Sequence, residues 1–332
     1  MSPTRFGNRP QYFYSALLCF CGLLIVGDLI AQDRSDQFTT SGRVSRKATN
    51  PLAAPQWVKP AVVAGRLQRM TFASKAAHAK VSYFIHLPAD YVAEPHRRFP
   101  VMYWLHGLGS GPQGLPQIVK HFEGAMRAEK TPAMIVVFVN GLTESMWCDA
   151  KDGTMPVESV FVKELIPHVD SAYRTIPQRE GRLIEGFSMG GFGAARLGFK
   201  HHELFGSVSM LAGALHSEAS IARRRGSILK SVFGGDSKYF DAQSPWGIAE
   251  ANAEFLGKQM LIRQVVGERD PTLACNRDFD AHLTRLKIPH EYDVLPEVRH
   301  DPVEIYESLG ERNWEFYRCA FRECTASASD GP

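Results

Sequence analysis

Hydrophobic and polar positions change period several times along the chain, and the changes divide it into elements. Val81-Ser82-Tyr83-Phe84-Ile85-His86-Leu87 alternates loosely and stops at Pro88, the pattern of an early antiparallel strand. Val101-Met102-Tyr103-Trp104-Leu105 and Ala133 to Val139 are unbroken apolar runs, which predicts strands covered on both faces. Arg182 to Glu185, Gly206 to Leu211, Met260 to Val266 and Glu291 to Leu295 read as further strands. Between them the period lengthens. Val157, Phe161, Leu165, Val169 and Tyr173 recur every four residues, the stripe of a helix packed on a sheet, with a kink expected at Pro167. Asn276 to Leu286 and Val303 to Phe321 are further amphipathic candidates. This alternation predicts the α/β class, with a mostly parallel central sheet and helices on both faces. Ala212 to Gly257 holds more chain than one crossover helix needs. It predicts a small insertion after the strand ending at Leu211, the sixth strand of such a fold, either a lid or plain crossover helices.

The ends follow neither period. Arg5 and Arg9 precede an apolar run from Tyr12 to Gly27, and Leu29-Ile30-Ala31 offers a cleavage site, so residues 1–31 read as a secretory signal. An uncleaved anchor is the alternative, although the run is short for a membrane span. Residues 32–64 are polar, contain Pro51, Pro55 and Pro60, and read as a linker or an arm lying on the domain. The domain itself is expected over residues 65–324, and residues 325–332 form a small, polar tail.

Composition narrows the picture. The 332 residues suffice for a sizeable core, and 44% hydrophobic with 22% charged residues excludes wholesale disorder and a multi-span membrane protein. A net charge of +3 gives no global attraction for nucleic acid, and the longest basic run, Arg223-Arg224-Arg225, reads as a solvated helix face. Export would leave Cys148, Cys275, Cys319 and Cys324, of which Cys319 and Cys324 could pair locally or stay free. No cysteine or histidine spacing suggests zinc, and Asp149 and Asp152 do not make a calcium loop. Neither metal nor organic cofactor is expected.

The candidate chemistry centres on Gly186-Phe187-Ser188-Met189-Gly190. A Gly-x-Ser-x-Gly pattern is weak by itself, but this one follows a predicted strand and precedes the small-residue run Gly190 to Ala195. That is the setting in which a serine is held in a strained turn, with glycines where side chains would clash. A serine nucleophile needs an imidazole base, and the base needs a carboxylate. Asp270 ends the segment Val265 to Pro271, where a strand runs into a turn; Glu268 is the runner-up. His300 follows Glu291 to Leu295 and precedes Asp301-Pro302-Val303-Glu304, which reads as a helix start, so its ring sits in a loop. The oxyanion needs two backbone donors. The amide after the nucleophile, Met189, supplies one; the other is assigned to Leu108 in the glycine-rich loop Leu105 to Gly111, with Gly107 also open. His106 is expected to brace that loop and to lie near substrate. Trp147, in the loop Glu144 to Gly153, is a candidate pocket wall or else a buried structural residue.

With these residues in place, the chain resembles the α/β-hydrolase esterases that include S-formylglutathione hydrolases, feruloyl and acetylxylan esterases and the mycolyltransferase antigens. The resemblance rests on Tyr103-Trp104-Leu105-His106-Gly107, Glu164 to Asp170 with Tyr173-Arg174, Gly186 to Gly193, and the order Ser188, Asp270, His300. It implies an α/β-hydrolase fold, with Ser188 as nucleophile, His300 as base, Asp270 as acid and the Leu108 and Met189 amides as oxyanion hole. Val298 stands where relatives often have glycine, two residues before the histidine.

The expected function is therefore an exported, secreted or periplasmic serine carboxylesterase acting on a small-molecule or polysaccharide ester, such as a feruloyl or acetyl ester. No nucleic-acid partner is expected, and membrane contact only if the N-terminal segment stays uncleaved. A mycolyl-type acyltransferase, an S-formylglutathione-like thioesterase and an inactive hydrolase-fold binding protein are the alternatives.

Overall fold

Eight strands form the centre of the computed structural model, which describes residues 55–109 and 111–321. The expected signal, most of the expected linker, the tail and Cys324 lie outside the described residues. The strands are β1 (Leu67–Ser74), β2 (Ala79–His86), β3 (Val101–Leu105), β4 (Ile135–Val139), β5 (Arg182–Phe187), β6 (Ser207–Leu211), β7 (Leu261–Gly267) and β8 (Glu291–Leu295). Their order across the sheet is β1-β2-β4-β3-β5-β6-β7-β8. The pairs β1/β2 and β2/β4 are antiparallel, and every pair from β4 to β8 is parallel.

The unbroken apolar runs are explained by two-sided cover. Val101, Tyr103 and Leu105 enter one hydrophobic core, and Met102 and Trp104 enter the other. Likewise Ile135, Val137 and Val139 face one way while Val136 and Phe138 face the opposite way. Ten helices follow among the described residues: α1 (Asp90–Ala93), α2 (Leu115–Arg127), α3 (Ile166–Ala172), α4 (Met189–Lys200), α5 (Glu218–Ser231), α6 (Ser237–Gln243), α7 (Pro245–Gln259), α8 (Leu273–Arg285), α9 (Pro302–Leu309) and α10 (Glu311–Ala320). Phe192 and Leu197 of α4 and Phe279 of α8 pack into the first core; Phe122 of α2, Ile305 of α9 and Trp314 of α10 pack into the second. Helices α5 to α7 are the insertion expected between β6 and β7.

One strand has no counterpart among the sequence expectations, and two local readings change. Strand β1 is an edge strand in which half the residues are polar and half are exposed, with Leu67, Phe72 and Ser74 buried, so its apolar signal is faint. The four-residue stripe from Val157 is buried from Val157 to Val169, but the helix takes π geometry over Ser159–Leu165 and runs on without a break into α3, where Pro167 has no N–H to give the preceding turn. The segment 303–321 is two helices because Gly310, at φ 55°, turns the chain between α9 and α10.

One face of the sheet holds a buried polar network. Glu185 of β5 pairs with Arg263 of β7 at 2.9 Å and accepts hydrogen bonds from Tyr306 Oη at 2.6 Å and Tyr317 Oη at 3.0 Å. Arg263 also donates to Asn313 Oδ1 at 2.9 Å and to Ser209 Oγ, and lies 3.9 Å from the Phe316 ring centroid. Trp104 Nε1 donates to Tyr306 Oη at 2.9 Å, closing the network onto β3. All of these side chains are buried. The desolvated charges are tolerable because each is fully partnered, and removing one strands the other. Glu185→Gln is expected to cost about 3–5 kcal/mol of unfolding free energy in urea titrations. A loss below about 1 kcal/mol would show that the network carries no such burden.

Candidate active site

The strand order itself marks a position. β3 has β4 on one side and β5 on the other, so the chain winds away in opposite directions from this pair. Ligand crevices of open parallel sheets form at the carboxyl ends of strands flanking such a switch. Leu105 and Phe187 end β3 and β5, and the loop at His106 and the turn at Ser188 begin there.

Ser188 occupies a strained turn, φ 59° and ψ −116°, of the kind that costs about 1–3 kcal/mol. Its surroundings hold it there. Ser188 N donates to Leu211 O at 2.9 Å, and Ser188 O accepts from Ala214 N at 2.8 Å and Gly191 N at 3.0 Å. A Cβ on Gly186 would collide with the Gly190 carbonyl, and one on Gly190 with the Leu105 carbonyl. The flanking glycines therefore let β3, β5 and α4 meet backbone to backbone.

The loops after β7 and β8 bring the partners. His300 Nε2 lies 3.0 Å from Ser188 Oγ, and His300 Nδ1 lies 2.7 Å from Asp270 Oδ2. Asp270 is buried, and its other oxygen accepts from Thr272 N at 2.7 Å and Thr272 Oγ1 at 2.6 Å. Glu268 points elsewhere: it is exposed and accepts from Glu297 N at 3.2 Å. Asp301 caps α9 by accepting from Val303 N at 2.7 Å and Glu304 N at 3.1 Å, so the residue after His300 is anchored. Val298 is buried, and its carbonyl accepts from Arg269 N at 3.0 Å, tying the two loops together. The Phe187 ring lies 4.5 Å from that of His300.

The glycine-rich loop after β3 passes beside the serine: a Cβ on Gly107 would lie 3.1 Å from Ser188 Cβ. Leu108 follows it, and Gly109 N donates to Thr143 O at 2.8 Å. Met189 opens α4, where its N–H has no intrahelical acceptor. His106 is buried below this loop; its Nδ1 bonds Gly107 O at 2.8 Å and its Nε2 accepts from Gly141 N at 3.1 Å. These two bonds require the neutral ring. Burial pushes the imidazole pKa down to about 4, with the Gly107 bond opposing and the Lys59 charge assisting.

Trp147 is fully buried, packed on Gly141 and Gly193, with Nε1 donating to His106 O at 3.3 Å. The side chain expected as a pocket wall is thus enclosed beneath the loop, because those two glycines leave an indole-sized gap in the interior. Arg196 of α4 donates to Trp147 O at 3.1 Å and pairs with Glu158, itself bound by Lys200 and His201. Burial alone would raise the Glu158 carboxyl, but these three partners hold it well below the usual carboxylate range. Thr272, Phe187 and the Arg196–Glu158 pair were not singled out from sequence. Only Thr272 left a signal, a hydroxyl two residues after an aspartate in a turn.

The family model described as "Putative esterase" matches residues 74–316. The chain belongs to this esterase family. It is 28% identical over 196 residues to an endo-1,4-beta-xylanase/feruloyl esterase of Xylanibacter ruminicola, covering 55% of this chain and 26% of that one. It is 26% identical over 239 residues to an esterase of Mycobacterium tuberculosis, covering 63% of this chain and 50% of that one. The chain thus spans a quarter to a half of these relatives. Among solved structures, a ferulic acid esterase superposes with a TM-score of 0.61 at 21% identity, covering 78% of this chain and 95% of that one. An S-formylglutathione hydrolase of Staphylococcus aureus superposes at 0.62 with 15% identity, covering 76% and 98%. The fold is that of the α/β-hydrolases.

In this member of the family, two measurements probe the site's construction. Gly190→Ala should cost about 4 kcal/mol or more, read as loss of cooperative unfolding or of soluble protein, because the new methyl meets backbone rather than a movable side chain. The depressed His106 pKa sets a pH dependence: its contribution is complete above the unfolded imidazole value near 6.5 and is lost as pH falls towards about 4. Between pH 7 and pH 5 the protein should lose about 2 kcal/mol by this route. His106→Asn should flatten that slope in urea titrations; an unchanged slope would assign it to other groups.

Proposed function

We propose that the protein is an exported serine carboxylesterase that works through an acyl-enzyme. The observation that carries this reading is the hydrogen-bonded series Ser188–His300–Asp270, with the serine on a strained turn beside a glycine-rich loop. Asp270, fixed by Thr272, orients the imidazole with Nδ1–H towards itself and leaves Nε2 free to accept the serine proton. Ser188 Oγ attacks the ester carbonyl, and the Met189 and Leu108 amides receive the developing oxyanion. His300 then passes the proton to the departing alcohol. Water, deprotonated by the same ring, attacks the acyl-enzyme, and collapse of that second intermediate returns the serine and frees the acid.

Acyl esters of polysaccharides, feruloyl or acetyl, are the proposed substrates. The name of the Xylanibacter relative supports this class, and so does the secretory pattern of residues 1–31. Among the described residues no helix is long and apolar enough to cross a membrane.

p-Nitrophenyl acetate hydrolysis by the purified protein tests the chemistry. Ser188→Ala should reduce it to background, and Asp270→Asn should lower kcat by about 10³–10⁴-fold, while Glu268→Gln stays within about twofold. A wild type no faster than Ser188→Ala would sink the esterase reading, and near-full activity of Asp270→Asn would remove Asp270 from it.

A further inference from the structure

Residues 55–66 precede the span matched by the family model, and part of this segment returns to the sheet. Trp57 is buried, and its carbonyl accepts from Ser82 N at 2.8 Å and Asn140 Nδ2 at 2.9 Å. Lys59 N donates to Ser82 Oγ at 2.8 Å, and Lys59 O accepts from Arg69 Nη1 at 3.0 Å. The backbone at Lys59 is therefore fixed. Its side chain is not so provided for: Lys59 is 6% exposed, yet among the described residues its ammonium has neither a hydrogen bond nor an ion pair.

The side chain lines a crevice of about 30 Å³ with Phe84, Trp104, His106, Phe138 and Asn140, and no carboxylate borders it. His106, the other titratable group there, is held neutral by burial. Burial lowers the Lys59 pKa, and no neighbour offsets it. The Lys59 ammonium still touches solvent, and an acceptor entering the crevice would take the place of that water. The crevice shares Trp104, His106, Gly111 and Leu115 with a larger cleft of about 330 Å³ that runs past Gly107 and Phe187 to Asp301, beside Ser188 and His300.

We propose that this crevice is a carboxylate subsite, in which Lys59 receives a free carboxylate carried by the same molecule whose ester lies in the adjoining cleft. The small volume takes about two water-sized groups, the size of a carboxylate head and too little for a ring. The substrates so selected are esters of dicarboxylic acids that retain one free acid. This rests on the cleft being the ester site. It adds a specificity determinant from a segment outside the family span, positioned by Trp57 and Ser82.

Chain-matched p-nitrophenyl esters test it: the monoesters of adipate and suberate against hexanoate and octanoate, at neutral pH. The ratio of kcat/KM, acid-bearing over neutral, should favour the acid in the wild type and fall about tenfold in Lys59→Met, mainly through KM, with Lys59→Arg retaining most of it. Because the neutral ester is the denominator, partial loss of folded protein cancels. An equal ratio in wild type and Lys59→Met overturns the proposal. Calorimetric titration of adipate into Ser188→Ala reads the subsite without catalysis; binding there that disappears in Ser188→Ala/Lys59→Met supports it, and binding that survives overturns it. Failure of the esterase reading would look different: no hydrolysis of the neutral esters by the wild type.

Discussion

The backbone of Ser188, held at positive φ between two glycines, is the constraint from which the rest of the site follows. A side chain at Gly186 or Gly190 would push β3, β5 and α4 apart, and the serine would lose the hydrogen bonds from Ala214 and to Leu211 that keep it strained. Tight backbone contact here also sets where the next loops lie. The chain leaving β3 passes so near the serine that a Cβ on Gly107 would lie 3.1 Å from Ser188 Cβ, so the loop that carries Leu108 has little space for a side chain there. Strain at one residue is thus sustained by packing over three elements.

A second device addresses distance along the chain. Ser188 and His300 come from elements more than a hundred residues apart, and each is tied to the same buried charge network. Glu185 precedes the serine on β5, and Tyr306 follows the histidine on α9; their 2.6 Å hydrogen bond, with Arg263 between β5 and β7, joins the two neighbourhoods beneath the sheet. Past the ends of β7 and β8, Thr272 and the α9 cap at Asp301 take up the remaining freedom of the two loops. The imidazole is held by a hydrogen bond at each ring nitrogen, with 30% of its side chain left open to solvent.

Much of this was legible in the sequence because it is local. The apolar runs at 101–105 and 133–139 announce two-sided burial, and the two faces fall into separate cores with a period of two. The serine turn is a contiguous pattern whose residue types have steric causes. His300 was readable because a capping aspartate and a proline after it mark a loop ending in a helix. Illegible features were of two kinds. Some are weak signals, as in β1, where an edge strand buries too few residues to show a period. Others are gaps filled by remote residues: nothing near Trp147 in the chain shows that Gly193 makes room for its ring. The same is true of Glu158, whose partners Arg196, Lys200 and His201 come from α4 and the residue that follows it.

The sequence by itself determined the fold class, the strand–turn–helix around Ser188 and the order of the residues that meet there, since hydrophobic period, glycine sterics and capping act over a few neighbouring positions. Only the tertiary structure places Asp270, and not Glu268, against His300, because two acids two residues apart on a turn differ in direction, and direction is set by Thr272 on one and the Glu297 amide on the other. It also turned Trp147 inward, and it placed Lys59 beside the glycine-rich loop after β3 by pairing Trp57 with Ser82. Those outcomes depend on which surfaces are brought together across the sheet, and no local pattern encodes them.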